Sequence, residues 1–314
     1  MRAVTIADGA LGWSVHPDPV PGDTELLVAV RAAGLNAADL LQRRGLYPAP
    51  PGVPADIPGL ELAGEVVDVG ARVTRFAPGD AVMALVPGGA QAELAVVDER
   101  VVMPVPDGLA WAEAGGFPEA FCTAHDALFG QCRLQMGERV LVTGAAGGVG
   151  TAAVQLAAAA GGCPVASARN SQAHGMLLEL GAVAASEPDA ALSDGPFDVA
   201  VELVGAASLP GVIGALAIGG RVAVIGVGSG ARLELDLLAL MGRRAAISGA
   251  TLRARPVDDR GAVVSAVRRS VLPLVVSGRI RVPVAGTVAM DAAPEAYEQF
   301  AAGGKLGKIV LVAP

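Results

Sequence analysis

The clearest capacity for chemistry lies in the run Val142-Thr143-Gly144-Ala145-Ala146-Gly147-Gly148-Val149-Gly150. An apolar stretch, residues 139–143, leads into this loop, and a helix-forming stretch, residues 149–160, leaves it. Between a strand and a helix, glycines let the main chain approach a pyrophosphate. The helix start then offers unpaired N–H groups and a partial positive charge. The fingerprint reads Ala145-x-Gly147-x-x-Gly150, with alanine in the first glycine position. A glycine triplet alone is compatible with a tight turn. In this setting it predicts a dinucleotide held by Ala145, Ala146, Gly147, Gly148, Val149 and Gly150.

A nicotinamide dinucleotide supplies hydride chemistry, and the next strand discriminates between its two forms. An acid at the carboxyl end of that strand would bind the free ribose 2′-OH of NADH and repel a 2′-phosphate. The segment Val165-Ala166-Ser167-Ala168-Arg169-Asn170-Ser171 has no acid and carries Arg169. A guanidinium matches phosphate geometry with paired hydrogen bonds, so NADPH is expected over NADH; the bland alternative is a solvated surface arginine. Val204 and Gly205, and Gly226 and Val227, follow two later strands, where open parallel sheets bind their ligands. Leu252, just past the apolar run 245–249, is a candidate lining residue.

These residues need a scaffold. From about residue 112, apolar strand runs alternate with helix-length segments: strands near 139–143, 164–167, 197–202, 220–226 and 245–249, and helices near 149–160 and 171–180. That alternation predicts a doubly wound α/β unit with a parallel sheet covered on both faces, residues 112–251. Residues 1–111 carry short strands at 26–30, 64–70, 80–85 and 92–97 with Pro/Gly punctuation, which reads as a barrel-like β domain. Residues 252–314 carry helices at 261–277 and 293–302 and strands at 282–288 and 307–312, so the nucleotide domain is inserted between two halves of the other. The proline-rich segment 47–54 is expected to be a stiff loop.

Composition excludes several classes. The 314 residues carry 23 Lys and Arg against 31 Asp and Glu, a formal charge of −8, which argues against a nucleic-acid partner. The most apolar stretch, 199–230, is interrupted by glycines and Pro210, so no membrane span of about 20 residues is expected. No signal-peptide layout opens the chain, and a cytoplasmic location is expected. Cys122, Cys132 and Cys163 have no motif spacing and read as free thiols. Cys122 and His125 could meet on a helix but lack a third ligand.

Longer motifs carry a resemblance. The segments 33–45 (Ala-Gly-Leu-Asn-Ala-Ala-Asp-Leu-Leu-Gln-Arg-Arg-Gly), 57–64 (Ile-Pro-Gly-Leu-Glu-Leu-Ala-Gly), 79–85, 118–124, the glycine loop and Gly307-Lys308-Ile309-Val310-Leu311 resemble the quinone oxidoreductase branch of the medium-chain dehydrogenase/reductase superfamily. The likeness spans essentially the whole chain. It implies a Rossmann domain inserted into a GroES-like substrate domain, with an active cleft between them. Zinc-dependent relatives place a Cys where this chain has Asn36 and a Gly-His-Glu where it has Gly59-Leu60-Glu61, so no zinc site is expected. Glu61 reads as a structural partner.

Without a metal, hydrogen-bond donors must polarise the acceptor carbonyl. The resemblance places an Asn and a Tyr beside the nicotinamide, here Asn36 and Tyr47; otherwise Asn36 caps a turn and Tyr47 anchors its loop. It also implies a cofactor contact from Thr123, and for Lys308 either a cofactor contact or a structural salt bridge. The family's phosphate-reading pair falls on Arg169 and Asn170, while its Lys and Tyr are replaced by Ala173 and Pro188. The expected activity is NADPH-dependent reduction of a quinone or related enone. The alternatives are reduction of an enoyl or alkenal double bond, or a non-catalytic NADPH-binding protein. An exposed edge at the strand 245–249, and the family habit, imply a homodimer.

Overall fold

A computed structural model describes residues 1–313 as two compact units: Met1–Cys122 with the segment from Leu252 onward, and Thr123–Thr251. Pro314, the last residue of the expected C-terminal range, lies outside the described residues.

The first unit opens with a hairpin of β1 (Arg2–Ala7) and β2 (Ala10–Val15), turned at Asp8 and Gly9, both at positive φ. Then come β3 (Glu25–Gly34), α1 (Ala37–Arg43), β4 (Glu61–Val69), β5 (Ala81–Leu85), β6 (Leu94–Asp98), β7 (Val102–Pro104) and α2 (Trp111–Gly115). In β3, Leu26, Val28 and Val30 are buried while Leu27 and Ala29 are only partly so, the period-2 pattern of a strand with one face in the core. Helix α3 (Pro118–His125) carries the chain into the second unit. The division falls inside α3 rather than ahead of α2, because α2 packs on β3 and β4.

The second unit contains β8 (Arg139–Val142), α4 (Gly148–Ala159), β9 (Cys163–Ser167), α5 (His174–Glu179), β10 (Ala184–Ser186), α6 (Pro188–Ser193), β11 (Phe197–Glu202), α7 (Leu209–Gly214), β12 (Leu216–Val224), α8 (Leu237–Arg243) and β13 (Ala246–Gly249). Its strands are all parallel, in the order β10-β9-β8-β11-β12-β13. Strand order reverses between β8 and β11, the position where such sheets open a ligand crevice at their carboxyl ends. Val140, Leu141 and Val142 of β8 and Val199, Ala200 and Val201 of β11 are all buried, as a centre covered on both faces requires.

The chain returns to the first unit with α9 (Val257–Ser270), α10 (Leu272–Val276), β14 (Val284–Ala289), α11 (Ala293–Ala302) and β15 (Lys308–Val312). The larger sheet there runs β14-β15-β3-β4-β5-β7, with β6 also on β3. Strand β15 is parallel to β14 and antiparallel to β3. The fold is thus a parallel Rossmann sheet inserted into a GroES-like unit. Two expectations are corrected. The helix expected over 261–277 breaks at Val271, since Pro273 in the first turn of α10 has no N–H to continue the ladder. The helix expected over 171–180 begins instead as a 3-10 turn, Ser171–Ala173, before α5.

Candidate functional site

In the first unit, three side chains from distant parts of the sequence meet near the end of β3. Glu61 opens β4, Lys308 opens β15, and Asn36 is the N-cap of α1. Glu61 is 0% and Lys308 4% exposed. The Lys308 ammonium donates to Glu61 Oε1 at 2.5 Å, Asn36 Oδ1 at 2.7 Å and the Leu35 carbonyl at 3.1 Å. Asn36 Nδ2 donates to Glu61 Oε1 at 2.9 Å and to the Gly34 carbonyl at 3.2 Å. The backbone N–H of Glu119 donates to the other Glu61 oxygen at 2.9 Å. A Cβ at Gly34 would clash with the Glu61 carboxylate and lie 2.8 Å from the Gly115 carbonyl, so glycine is needed for Glu61 to cross there. Burying two charges costs several kcal/mol per ion, and the cluster recovers this only because all its donors and acceptors are matched.

Asp39, also fully buried, accepts from the N–H groups of Asn36 at 2.8 Å and Gly59 at 3.0 Å. Burial pushes its carboxyl up to about 6, against the pull of those two N–H groups, Lys308 and Arg253.

These bonds bear on two expectations. All three ammonium hydrogens of Lys308 go to acceptors of the first unit, so of its two expected roles these bonds form the structural salt bridge, with Glu61. Both amide hydrogens of Asn36 are engaged in the same way, so the amide has none to offer a substrate carbonyl while these bonds stand. The residues also do not fit a zinc ion. Leu60 is a buried hydrocarbon, and Asn36 and Glu61 already hold a cation, the Lys308 ammonium. No group of three or more His, Cys, Asp or Glu side chains able to hold a metal occurs among the described residues.

Tyr47 sits half-buried in a segment without helix or strand, as its prolines require. Arg253, 6% exposed, donates to the carbonyls of Tyr47 at 2.8 Å and Pro87 at 2.7 Å and to Gln42 Oε1 at 2.6 Å. Its guanidinium lies 5.0 Å from the centre of the Tyr47 ring. Nothing in the sequence marks Arg253, one of two arginines shortly after a strand. Leu252 beside it is buried.

In the second unit, the glycine run forms a cradle at the carboxyl end of β8. Gly144 has φ of 59°, and Gly147 is the N-cap of α4 with no side-chain cap. The first N–H groups of α4 are thus left for another acceptor. A Cβ on Gly150 would lie 2.6 Å from the Ala145 backbone, so only glycine lets helix and loop pack this closely. The Ala145 N–H donates to the Ser167 carbonyl at 3.0 Å and ties the loop to the end of β9. Arg169, two residues further, is exposed, and Asn170 Oδ1 accepts from the Gln172 N–H at 3.0 Å.

At the end of β11, Glu202 Oε1 accepts from the N–H groups of Val204 and Gly205 and from the Ser208 hydroxyl, each at 2.7 Å. The carboxylate thereby shapes the loop bearing two expected contact residues, a role that no local pattern around Glu202 encodes. Gly205 has φ of 108°, and a Cβ on Gly226 would strike the Leu203 carbonyl. Ala145 to Gly150, Arg169, Asn170, Val204, Gly205, Gly226 and Val227 therefore gather at the carboxyl ends of β8, β9, β11 and β12. Thr123, buried in α3, stands on a separate element. A backbone cradle with an uncapped helix start fits a pyrophosphate.

Comparison with known proteins agrees with this geometry. Residues 22–107 match the family "Alcohol dehydrogenase GroES-like domain" and residues 148–267 the family "Zinc-binding dehydrogenase". A quinone oxidoreductase-like protein 2 homolog of Nematostella vectensis is 29% identical over 301 residues, 92% of this chain and 82% of the relative. An erythronolide synthase of Saccharopolyspora erythraea is 44% identical over 180 residues, 55% of this chain but only 5% of that protein. The solved structure of a mycobacterial protein complexed with NADPH superposes with a TM-score of 0.89 at 25% identity, covering 99% of this chain and 100% of the other. The chain is a quinone oxidoreductase-like member of the medium-chain dehydrogenase/reductase superfamily.

Proposed function

We propose that the protein reduces a quinone, or a related conjugated carbonyl compound, with NADPH and without zinc. The observation that carries this reading is the uncapped glycine-rich start of α4, tied to the end of β9, where the exposed Arg169 stands and no acid does. When bound, NADPH supplies the hydride. The backbone N–H groups at the start of α4 hold its pyrophosphate, and Arg169 binds the 2′-phosphate with a planar fork of donors. Asn170, Val204, Gly205, Gly226, Val227, Thr123 and Leu252 complete the binding surface in this reading.

The first unit contributes the polarising donor. The Tyr47 phenol donates a hydrogen bond to the acceptor oxygen as negative charge develops there, and solvent delivers the final proton. Asn36 acts through its neighbours: its amide locks Glu61 and Lys308 and so fixes the start of α1, whose opposite end leads into the Tyr47 loop. The test compares NADPH with NADH in steady-state reduction of 1,2- and 1,4-quinones, beside enones and enoyl thioesters. Turnover of quinones with a preference for NADPH supports the proposal. Tight NADPH binding without turnover of any acceptor would overturn it in favour of a non-catalytic role.

A second reading, reduction of a conjugated carbon–carbon double bond, would use the same glycine cradle for the cofactor and the same donor at the oxygen. Faster turnover of enoyl thioesters than of quinones would select it. We further propose a homodimer joined at β13, which among the described residues pairs only with β12 and follows α8 in the chain, whose Leu237, Leu238 and Met241 are exposed. Sedimentation equilibrium measures that mass directly. Three free cysteines support a reducing, cytoplasmic setting, and among the described residues no helix is long and apolar enough to cross a membrane.

A further inference from the structure

We infer that Arg253 is a positioning residue: its buried guanidinium sets the place of Tyr47, and thereby the strength of the hydrogen bond that Tyr47 offers the acceptor. The inference rests on the reading of Tyr47 as the polarising donor. Three separate segments converge on this one side chain. Gln42 lies on α1, Tyr47 begins the proline-rich loop, and Pro87 belongs to the turn after β5. Each guanidinium nitrogen takes one acceptor, Nε the Pro87 carbonyl, Nη1 the Tyr47 carbonyl and Nη2 the Gln42 amide oxygen, and the planar face also covers the Tyr47 ring. A lysine in its place offers one point donor where three separated nitrogens now serve three segments, and has no planar face for the ring.

The loop needs such a clamp. It has no helix or strand ladder of its own, and its prolines remove donors that would otherwise tie it down. The bond to the Tyr47 carbonyl acts on the main chain of the very residue whose phenol is used, so a shift of the guanidinium moves the ring directly. The turn at Pro87 presses on the same loop, since a Cβ on Gly88 would lie 2.5 Å from a Val53 methyl. Burial desolvates the guanidinium and lowers its pKa, which the Asp39 carboxylate opposes. The Asp39 carboxylate on α1 and the cation holding the loop thus form one electrostatic unit.

The test is a double-mutant cycle of Tyr47→Phe and Arg253→Lys, with NADPH and 9,10-phenanthrenequinone as substrates. Tyr47→Phe should lower kcat about a hundredfold. Arg253→Lys should lower kcat at least about tenfold with KM for NADPH unchanged, and should have less than about a twofold effect in the Tyr47→Phe background. Multiplicative losses would show that Arg253 acts independently of Tyr47 and would overturn the inference. Full kcat in Tyr47→Phe would instead remove the donor reading itself, and the positioning role with it.

Hydrogen exchange gives a readout free of turnover. In Arg253→Lys, peptides covering 44–55 should exchange several-fold faster while those of β3 and β4 do not change. Unchanged exchange over 44–55 overturns the inference even if activity falls. Should Arg253→Lys fail to fold, Gln42→Leu removes one of the three acceptors and should give the same pattern at smaller amplitude.

Discussion

The polar cluster of the first unit and the glycine cradle of the second are built on opposite principles. Around Glu61 and Lys308, side chains supply the charge and every donor meets an acceptor inside the unit. Around Gly147, the main chain supplies the polarity, no side chain caps α4, and Arg169 extends into solvent. A closed cluster sets the shape of a pocket; an open cradle keeps its hydrogen-bonding capacity for a ligand. The difference teaches where binding and rigidity should part company under mutation.

The sharpest way to separate them is to break the ion pair. Lys308→Met should lower the unfolding free energy by about 3–5 kcal/mol, because Glu61 would be left buried and unpaired, while the Kd for NADPH should change less than about twofold. Denaturant titrations with and without NADPH read both, and a loss below about 1 kcal/mol would refute the account of the cluster.

A change of pH probes the same cluster through Asp39. Its ordinary pKa of 3.8 is raised to about 6 in the folded chain, burial being the main cause. Between these values the unfolded chain releases the proton first. The contribution of Asp39 is therefore fully present below pH 4 and is lost as pH rises towards 6, about 3 kcal/mol in all. Subtracting the pH profile of Asp39→Asn from that of the parent isolates the effect. A flat difference across this window would show that Asp39 ionises as freely in the fold as in water.

In the cradle, Gly150→Ala should push α4 away from Ala145 at about 1–3 kcal/mol of stability and should weaken NADPH binding, unlike Lys308→Met. Calorimetric titration distinguishes the two. The smallest change is in selectivity. Arg169→Asp should shift preference from NADPH towards NADH by about tenfold, equivalent to 1.4 kcal/mol. The ratio of kcat/KM for the two cofactors measures it, and an unmoved ratio removes Arg169 from the phosphate site.

The same contrast explains what could be read from sequence. The cradle was legible because its chemistry sits in one uninterrupted run, where glycines mark close backbone approaches and the flanking strand and helix set the context. The alternation of strands and helices likewise exposed the parallel sheet. Resemblance flagged Asn36 and Lys308 one at a time, yet their mutual bonds depend on how β3, β4 and β15 align, which no local pattern encodes. Arg253 had no signal at all, because its three acceptors lie far away in the chain. Strand β2 escaped for a different reason: its side chains are mostly exposed, so it shows no alternation of buried residues.

Strand β15 lies between β14 and β3 in the larger sheet and contributes Lys308 to the cluster. During synthesis, Glu61 and Asn36 are therefore made long before the cation that neutralises them. Until residue 308 leaves the ribosome and the last strand slots into place, a carboxylate destined for the interior has no counterion, so the first unit matures last although it is begun first. A shielding chaperone, or delayed closure of that sheet, would act on this interval.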